Sequence, residues 1–377
     1  MKVTSQGNVY LIHTDLMRTH EDIPAGVYYV RREQSKGFYL HRRPMPELNE
    51  SKIYGELPKK CDKALDTFAR FERNLGVILS GDKGIGKSLF AKVLSQAAIG
   101  EGYPVLIIDR PYDELGDFLD GIEQECIVIF DEFDKTFAVS GQNEMLSVFD
   151  GMSVGKKLFV ITCNELSRVS EFLVNRPGRF HYHFRFGYPG TKEVKEYLED
   201  KVPACYHTQI LDAVVFSKKA KLNYDCLRAI AFELSLGIPF EEAVRDLNVP
   251  NSSGGHYDVC LSYTNGTTLT NDSVKMDLIT KDKKVRASLY DNFSNHVANV
   301  SFMSGDVVWD EERDTLNVPA DKLHIELKDG TVSGGKRWNS FFDCDDTDEK
   351  CDIEHYRGLI AEGLTISCDE SEDFGDW

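Results

Sequence analysis

The feature that most constrains the fold of this 377-residue chain is the segment 81–88, Gly-Asp-Lys-Gly-Ile-Gly-Lys-Ser. It follows the apolar run 77–80 and precedes the helical stretch 89–94. Glycines at this spacing let backbone N–H groups curve around a phosphate, and the N-terminus of the following helix adds positive potential. The strand–loop–helix context therefore predicts a phosphate-binding loop at the carboxyl end of a buried strand.

The residue types in this loop also predict roles in binding ATP. Lys87 is expected to bridge the β- and γ-phosphates, and the Ser88 hydroxyl is expected to ligate Mg²⁺. A glycine-rich turn beside an exposed lysine is the alternative, and it does not account for the strand and the helix on either side. The expected ATP contacts in and next to the loop are Asp82, Lys83, Gly84, Ile85, Gly86, Lys87, Ser88 and Leu89.

Two adjacent acids, Asp131 and Glu132, follow the apolar run 126–130. We expect them at the carboxyl end of a second buried strand, where two neighbouring buried carboxylates need a compensating cation. Asp131 is therefore predicted to hold Mg²⁺, directly or through water. Glu132 is predicted to orient or deprotonate the attacking water. Asp134 provides a further acid nearby.

Apolar runs alternate with helical stretches between residues 51 and 190, which is typical of a parallel α/β sheet with helices on its faces. Residues 191–248 have helical periodicity, with one helix at 223–236 ending before Gly237 and another starting at Pro239. The fold class expected is therefore an α/β P-loop NTPase sheet with a helical lid. Its predicted strands are 77–80, 105–108, 127–130 and 158–161.

The flanking regions have a β-type texture. Short β runs in residues 1–50 predict a small separate β-rich unit. Turn signals at Asn265-Gly266 and Asp329-Gly330 predict a β-rich C-terminal domain. The predicted domains are 1–50, 51–190, 191–248 and 249–377.

Composition limits the partners and the compartment. The net charge is −18, and residues 251–377 carry 12 Lys and Arg against 26 Asp and Glu, so direct nucleic-acid binding by this region is not expected. The nine cysteines include no C-x-x-C pair, and no signal sequence or run of about 18 apolar residues is present. We therefore expect a cytoplasmic protein without disulfides, zinc or a membrane span. The acidic segments 343–349 and 369–377 are interpreted as loop or disorder, the second with a docking peptide as the alternative.

Further motifs resemble the AAA+ ATPase family. Residues 158–164 (Leu-Phe-Val-Ile-Thr-Cys-Asn) resemble its sensor-1 strand, and residues 175–180 (Asn-Arg-Pro-Gly-Arg-Phe) resemble its arginine-finger segment. Residues 145–152 resemble its L-x-x-x-D-G segment. The resemblance covers residues 53–247 and is most similar to the AAA subgroup that contains the mitochondrial chaperone of the Rieske protein. The unfamiliar flanking regions would suit a phage or another mobile element.

This resemblance implies catalytic roles for Glu132, Asn164, Arg176 and Arg179. Asn164 would hydrogen-bond the attacking water or the γ-phosphate, and the two arginines would enter the active site of the next subunit. It implies an ATP hydrolase that uses Mg²⁺, forms a homo-oligomeric, hexameric ring and remodels a protein or a protein complex. Two alternatives stay open: an ATP-gated scaffold with slow hydrolysis, and a loader or remodeller acting on DNA-bound proteins.

Three positions keep two interpretations each. The resemblance places Tyr54 on the adenine side of the nucleotide, and a plain turn is the alternative. Tyr112 follows the second strand, where a translocating ATPase would carry a pore-loop aromatic residue, and local packing is the alternative. Arg228 is either a sensor-2 arginine or an exposed helix arginine.

Overall fold

The computed structural model describes residues 20–328 except 35, 46, 49–51, 151–154, 175 and 250–254, together with the strand backbone at 2–6 and 9–13, residue 356 and residues 359–368. The chain divides into two compact units, Met1–Gly187 and Tyr188–Trp377. The acidic segments 343–349 and 369–377 and the turn at Asp329-Gly330 lie outside the described residues.

The first unit contains a two-stranded sheet and a seven-stranded sheet. Its strands are β1 (Lys2–Gln6), β2 (Val9–His13), β3 (Gly26–Glu33), β4 (Gly37–Arg43), β5 (Leu75–Ser80), β6 (Pro104–Ile108), β7 (Cys126–Phe130), β8 (Lys157–Cys163) and β9 (Tyr182–Arg185). Its α-helices are α1 (Leu57–Arg70), α2 (Lys87–Gly100), α3 (Leu115–Asp120), α4 (Phe133–Thr136), α5 (Val139–Glu144) and α6 (Leu146–Phe149), and a short 3-10 helix spans Leu166–Arg168.

The strand order of the larger sheet is β4-β3-β6-β7-β8-β5-β9, and all its neighbours pair in parallel except β3 and β4. Every residue of β5, β7 and β8 is buried, because helices cover both faces of the sheet. The carboxyl ends of these three strands are adjacent, since β8 lies between β7 and β5. This confirms the predicted parallel α/β sheet.

Helix α1 shows why the sequence forms these layers. Its buried residues, Leu57, Cys61, Ala64, Leu65 and Phe68, recur every three or four positions and so occupy one face. That face packs with buried residues of α2 and of alternate sheet positions into one core cluster. The other side of the sheet packs against buried residues of α3, α4 and α6 in a second cluster.

The prediction of a separate N-terminal unit was wrong for residues 26–43. Strand β3 pairs in parallel with β6, from Gly26 opposite Pro104 to Tyr29 opposite Ile107, and β4 completes that edge of the sheet. Val27, Tyr28 and Val30 are buried. Burial of these side chains against the parallel sheet gives the hairpin a hydrophobic core that its own two strands could not supply.

The second unit begins with helices and continues as an antiparallel sheet. The helices are α7 (Thr191–Lys201), α8 (Ile210–Lys219), α9 (Tyr224–Ser235) and α10 (Phe240–Asp246), and 3-10 helices span Ala204–Gln209, Ser304–Asp306 and Ala320–Lys322. Asn223 caps α9 by accepting a hydrogen bond from the Cys226 N–H at 2.9 Å, and Gly237 follows the helix with φ +79°. The helical content predicted for residues 191–248 is therefore present.

The antiparallel sheet has the strand order β14-β15-β17-β10-β11-β12-β13-β16 in the described residues. Its strands are β10 (Gly255–Tyr263), β11 (Thr268–Met276), β12 (Lys284–Tyr290), β13 (His296–Met303), β14 (Val308–Asp310), β15 (Thr315–Pro319), β16 (His324–Leu327) and β17 (Ala361–Cys368). The predicted turn at Asn265-Gly266 joins β10 to β11, and Gly266 has φ +83°. Within the part of the chain described here, no helix is long and apolar enough to cross a membrane.

Candidate active site

The loop at residues 81–86 joins β5 to α2. Gly81 has φ +137°, and a Cβ placed on it would collide with the Phe186 carbonyl oxygen and the Ile85 side chain. Gly86 has φ +108° and precedes the first residue of α2. Because L side chains rarely adopt these conformations, the sequence needs glycine at both positions to make this turn.

The Lys87 side chain returns towards the loop that precedes it. The residue is 8% exposed, and its Nζ donates hydrogen bonds to the carbonyl oxygens of Gly81 and, at 2.6 Å, Asp82. Burial lowers the pKa of the ammonium group. Ser88 is exposed in the first turn of α2, whereas Ile85 is buried. The structure thus presents a cation and a hydroxyl at the N-terminus of one helix.

Asp131 and Glu132 follow the last residue of β7, next to β8. The Thr162 hydroxyl of β8 joins them: it donates to Asp131 Oδ1 at 2.9 Å and accepts from the Glu132 N–H at 2.8 Å. The expectation that both carboxylates are buried was wrong, since both residues are exposed. They lie beyond the buried strand at the sheet edge, where a ligand and water can reach them.

Glu132 has φ +48°, which turns the chain sharply between β7 and α4. Its Oε1 accepts a hydrogen bond from Lys135 Nζ at 2.6 Å. This bond lowers the pKa of Glu132, with smaller contributions from Lys83 and from the Asn164 side chain. The carboxylate is therefore ionised at neutral pH, and Asn164 is among the side chains near it.

Asp134, expected from the sequence only as a further acid near the pair, has specific backbone partners in the structure. Asp134 is 6% exposed, and its Oδ2 accepts hydrogen bonds from the N–H groups of Asn164, at 3.1 Å, and Glu165, at 3.0 Å. The signal that could have indicated this contact is an acid next to the apolar Phe133 in the short helix after Glu132. Its partners are about thirty positions away and could not be read from the sequence.

The two arginines of the finger segment have different environments. Arg179 forms a two-point ion pair with Asp150, through Nε to Oδ1 and through Nη2 to Oδ2 at 2.7 Å, and donates to the Phe172 carbonyl at 2.8 Å. Arg176 is exposed, with its guanidinium carbon 5.7 Å from the centre of the Phe172 ring. Arg179 is thus held by residues of its own chain, whereas Arg176 is exposed to solvent. Residues 151, 152 and 175 of the quoted motifs lie outside the described residues.

The three positions with open interpretations are also described. Tyr54 is 8% exposed, with Lys52 Nζ 5.3 Å from its ring centre. Tyr112 is partly buried and packs edge-on against Phe38, with ring centres 5.9 Å apart. Arg228 is exposed and forms an ion pair at 3.3 Å with Asp225 of its own helix. The contacts of Tyr112 and Arg228 favour the local interpretation of each.

The residues at this sheet edge fit ATP and Mg²⁺. Lys87 and the backbone of residues 82–89 match a triphosphate, while Ser88 and Asp131 offer the hard oxygen ligands that Mg²⁺ prefers. Among the described residues, no group of three or more His, Cys, Asp or Glu side chains could hold a metal ion. This donor set suits a Mg²⁺ ion that takes the rest of its ligands from phosphates and water.

Comparisons with known proteins address the family. Residues 77–188 match the family described as "ATPase family associated with various cellular activities (AAA)". The chain is 29% identical over 175 residues to ATP-dependent zinc metalloprotease FtsH 1 of Thermoanaerobacter sp. (strain X514), covering 41% of this chain and 28% of that protein. It is 28% identical over 219 residues to the cell division cycle protein 48 homologue of Archaeoglobus fulgidus, covering 48% and 30%.

The matched region spans less than a third of the length of these two relatives. Among solved structures, the Thermotoga maritima RuvB Holliday junction branch migration motor matches with a TM-score of 0.38 and 17% identity, over 50% of this chain and 67% of that one. The family match covers β5 to β9, and with them the loop, both acids, Asn164 and both arginines. Residues 77–188 of this chain therefore form an ATPase domain of the AAA family.

Proposed function

We propose that this chain hydrolyses ATP to ADP and phosphate as a homo-oligomeric ring, and that hydrolysis remodels a protein or a protein complex. One observation carries this proposal: at the carboxyl edge of one sheet, Thr162 links Asp131 to Glu132 on the strand next to the phosphate loop. A triphosphate, a metal ion and an attacking water all need groups at such an edge.

Each group at the edge has a part in the proposed reaction. The loop amides and Lys87 bind and orient the phosphates, and Glu132 with Asn164 orients the attacking water. Thr162 keeps Asp131 and the backbone of Glu132 at a fixed separation. Mg²⁺ held by Ser88 and Asp131 would neutralise charge on the phosphate oxygens.

The ring is proposed because Arg176 is exposed and, among the residues that the structure describes, its side chain contacts the Phe172 ring rather than the phosphate loop of its own chain. Arg176 is the better candidate for completing the neighbour's site, since Arg179 is already paired with Asp150. A guanidinium group supplied in this way accelerates hydrolysis about 10³–10⁵-fold in other NTPases. An isolated subunit should therefore be almost inactive.

The concentration dependence of the ATPase rate tests the ring. We expect the rate per subunit to rise steeply with protein concentration and then to level off, in parallel with a larger species in analytical ultracentrifugation. Glu132→Gln should lower kcat about 10²–10⁴-fold while ATP binding persists. Glu101→Gln, at an exposed acid directly after α2, is the matched control and should keep the parent rate. A dilute monomer at full rate would contradict the proposal.

Mixed rings test whether sites are shared between subunits. Lys87→Ala subunits lack the phosphate lysine but keep Arg176, and Arg176→Ala subunits keep Lys87. We expect each variant alone to be inactive and their mixture to recover part of the rate, because some interfaces combine an intact loop with an intact arginine. A mixture as inactive as its components would show that Arg176 does not act across an interface.

A second candidate is the ATP-gated scaffold, and the loop after β6 favours it. Arg31 holds Asp109 through a pair at 2.8 Å, and Arg32 holds Glu114 at 2.6 Å, so both ends of the loop that carries Tyr112 are tied to β3. A threading loop needs freedom to move with its substrate. Unfolding of a tagged substrate during ATP hydrolysis would support remodelling, and its absence in an active ring would support the scaffold.

The similarity to the Rieske-chaperone subgroup and the cytoplasmic location stay predictions.

A further inference from the structure

We propose that Asp134 is a positioning residue for hydrolysis: it holds the turn after β8 so that Asn164 faces Glu132. This inference rests on the proposed ATPase function, in which Glu132 and Asn164 orient the attacking water. Asp134 itself does not touch the reacting atoms. It acts through the backbone of Asn164 and Glu165, whose N–H groups both donate to its Oδ2.

The contact is well placed to define the position of Asn164. The turn begins where β8 ends, so its first N–H groups have no ladder partner in the sheet. One oxygen of Asp134 accepts hydrogen bonds from two successive N–H groups, so this single side chain takes the place of two ladder bonds at the end of the strand. The backbone of Asn164 is thereby fixed relative to α4.

The same short helix also fixes Glu132. Glu132 directly precedes α4, and Asp134 is its second residue. Phe133 is fully buried and Phe137, which follows the helix, is 4% exposed, so hydrophobic contacts on both sides hold α4 in the core. Glu132, the proposed base, and Asp134, which holds the backbone of Asn164, therefore lie on the same short segment of chain. The position of Asn164 relative to Glu132 is set by this segment.

Burying the Asp134 side chain lowers the stability of the fold, which indicates that this acid has a role other than stabilisation. Its Oδ1 is buried without a hydrogen-bond partner among the described residues. A buried carboxylate with one oxygen unsatisfied lowers stability, since an apolar residue would fill the same space without that cost. An acid at this position is explained if its hydrogen bonds to the N–H groups of Asn164 and Glu165 are needed for the reaction.

Gln142 offers a matched control because it anchors the next part of the same segment. It is fully buried, its Nε2 donates to the carbonyl oxygens of Phe137 and Arg168 at 3.0 Å, and its Oε1 accepts from the Ser170 N–H at 2.7 Å. Gln142→Ala removes a comparable set of buried hydrogen bonds without touching Asn164. It should lower thermal stability and change kcat less than about threefold, as a purely structural contact would.

The test is a double-mutant cycle in steady-state ATPase assays on the assembled protein. Asp134→Ala should lower kcat about 10²-fold, the effect of displacing a catalytic group by about 1 Å, with KM for ATP changed less than about threefold. Asp134→Asn keeps one acceptor oxygen and should lose about tenfold. In an Asn164→Ala background either substitution should change kcat less than about twofold, because the group that Asp134 positions is gone.

The outcomes separate this inference from the proposed function. Independent effects that multiply in the double variant, or a change confined to KM, would overturn the role of Asp134 while leaving ATP hydrolysis in place. An Asn164→Ala protein with the parent kcat would remove the role of Asn164, and the inference with it. If Asp134→Ala fails to fold, the Asp134→Asn cycle decides by the same criteria.

Discussion

The two sheets of this protein use burial in opposite ways. In the parallel sheet of the first unit, β5, β7 and β8 are buried along their whole length. In the antiparallel sheet of the second unit, β10 alternates between buried and partly exposed residues. A strand covered on both faces can present polar groups only at its ends, whereas a strand covered on one face presents them along its length.

The two units also differ in where their polar side chains cluster. In the first unit, Lys87, Thr162 and Asp134 are buried next to the carboxyl edge of the sheet. In the second unit the corresponding cluster joins structural elements: Asp314, at φ +54°, accepts hydrogen bonds from Thr191 at 2.9 Å, Lys218 at 2.9 Å and the Trp309 indole at 3.2 Å. Buried polar groups thus gather at one edge of the sheet in the first unit, whereas in the second unit the Asp314 cluster joins helices α7 and α8 to the turn between β14 and β15.

The largest expected effect separates the two arginines of the first unit. Arg176→Ala should lower kcat about 10³–10⁵-fold and leave the free energy of unfolding unchanged, because its guanidinium group is exposed. Arg179→Ala should lower the free energy of unfolding by about 1 kcal/mol, since Asp150 and a carbonyl lose their partner and Asp150 is partly solvated. Steady-state kinetics and urea unfolding measure both. The reverse pattern would show that Arg179 is the finger.

A pH effect on stability is expected from His183 in the first unit. Burial lowers the pKa of His183 to about 4, and its Nε2 lies 2.7 Å from the Ser80 hydroxyl. The unfolded state, with a pKa near 6.5, binds the proton first, so stability should fall as pH decreases from about 6.5 to 4, by at most about 1.4 kcal/mol per pH unit. His183→Gln should flatten this dependence in urea titrations. An unchanged slope in the variant would assign it to other groups.

A smaller effect is expected in the second unit from Asp314→Ala. The substitution leaves Thr191, Lys218 and the Trp309 indole without this acceptor, and because the site is partly exposed the loss should be about 1 kcal/mol. Hydrogen exchange should show faster opening at the start of α7 and in the β14–β15 turn, with ATP affinity unchanged. Asp321→Ala, at an exposed acid elsewhere in the β-domain, is the control. A loss of ATP affinity in Asp314→Ala would contradict the purely structural role assigned to the Asp314 cluster.

The smallest effect is expected at Tyr112. Since its ring packs against Phe38, Tyr112→Phe should leave both ATP hydrolysis and stability within experimental error. Tyr112→Ala should lower the free energy of unfolding by about 1–3 kcal/mol through lost packing, without changing kcat. Differential scanning fluorimetry and ATPase assays report the two quantities. A loss of substrate remodelling in Tyr112→Ala, with kcat unchanged and with Tyr112→Phe still able to remodel, would instead support a gripping role.

Much of the candidate site could be predicted because its signals are local. Residues 81–88 and the pair Asp131-Glu132 are short patterns next to apolar runs, and the parallel sheet follows from the alternation of those runs with helices. The contacts of Asp134 with Asn164 and of Arg179 with Asp150 join positions 29 to 31 residues apart, so no local pattern indicates them. The addition of β3 to the sheet was missed for the same reason, since it pairs with β6 across about eighty residues.

The sequence by itself determined the glycine-rich loop at residues 81–86, the strand before it and the helix after it, because glycine conformations and apolar periodicity act within a few residues. Only the tertiary structure decided that Asp131 and Glu132 are exposed, that Arg176 is exposed while Arg179 pairs with Asp150, and that Asp134 accepts hydrogen bonds from the backbone after β8. These outcomes depend on which strands are neighbours in the sheet and on which partner lies within hydrogen-bond distance of each charged group. Both are set by the packing of segments that are far apart in the sequence, which local sequence patterns do not specify.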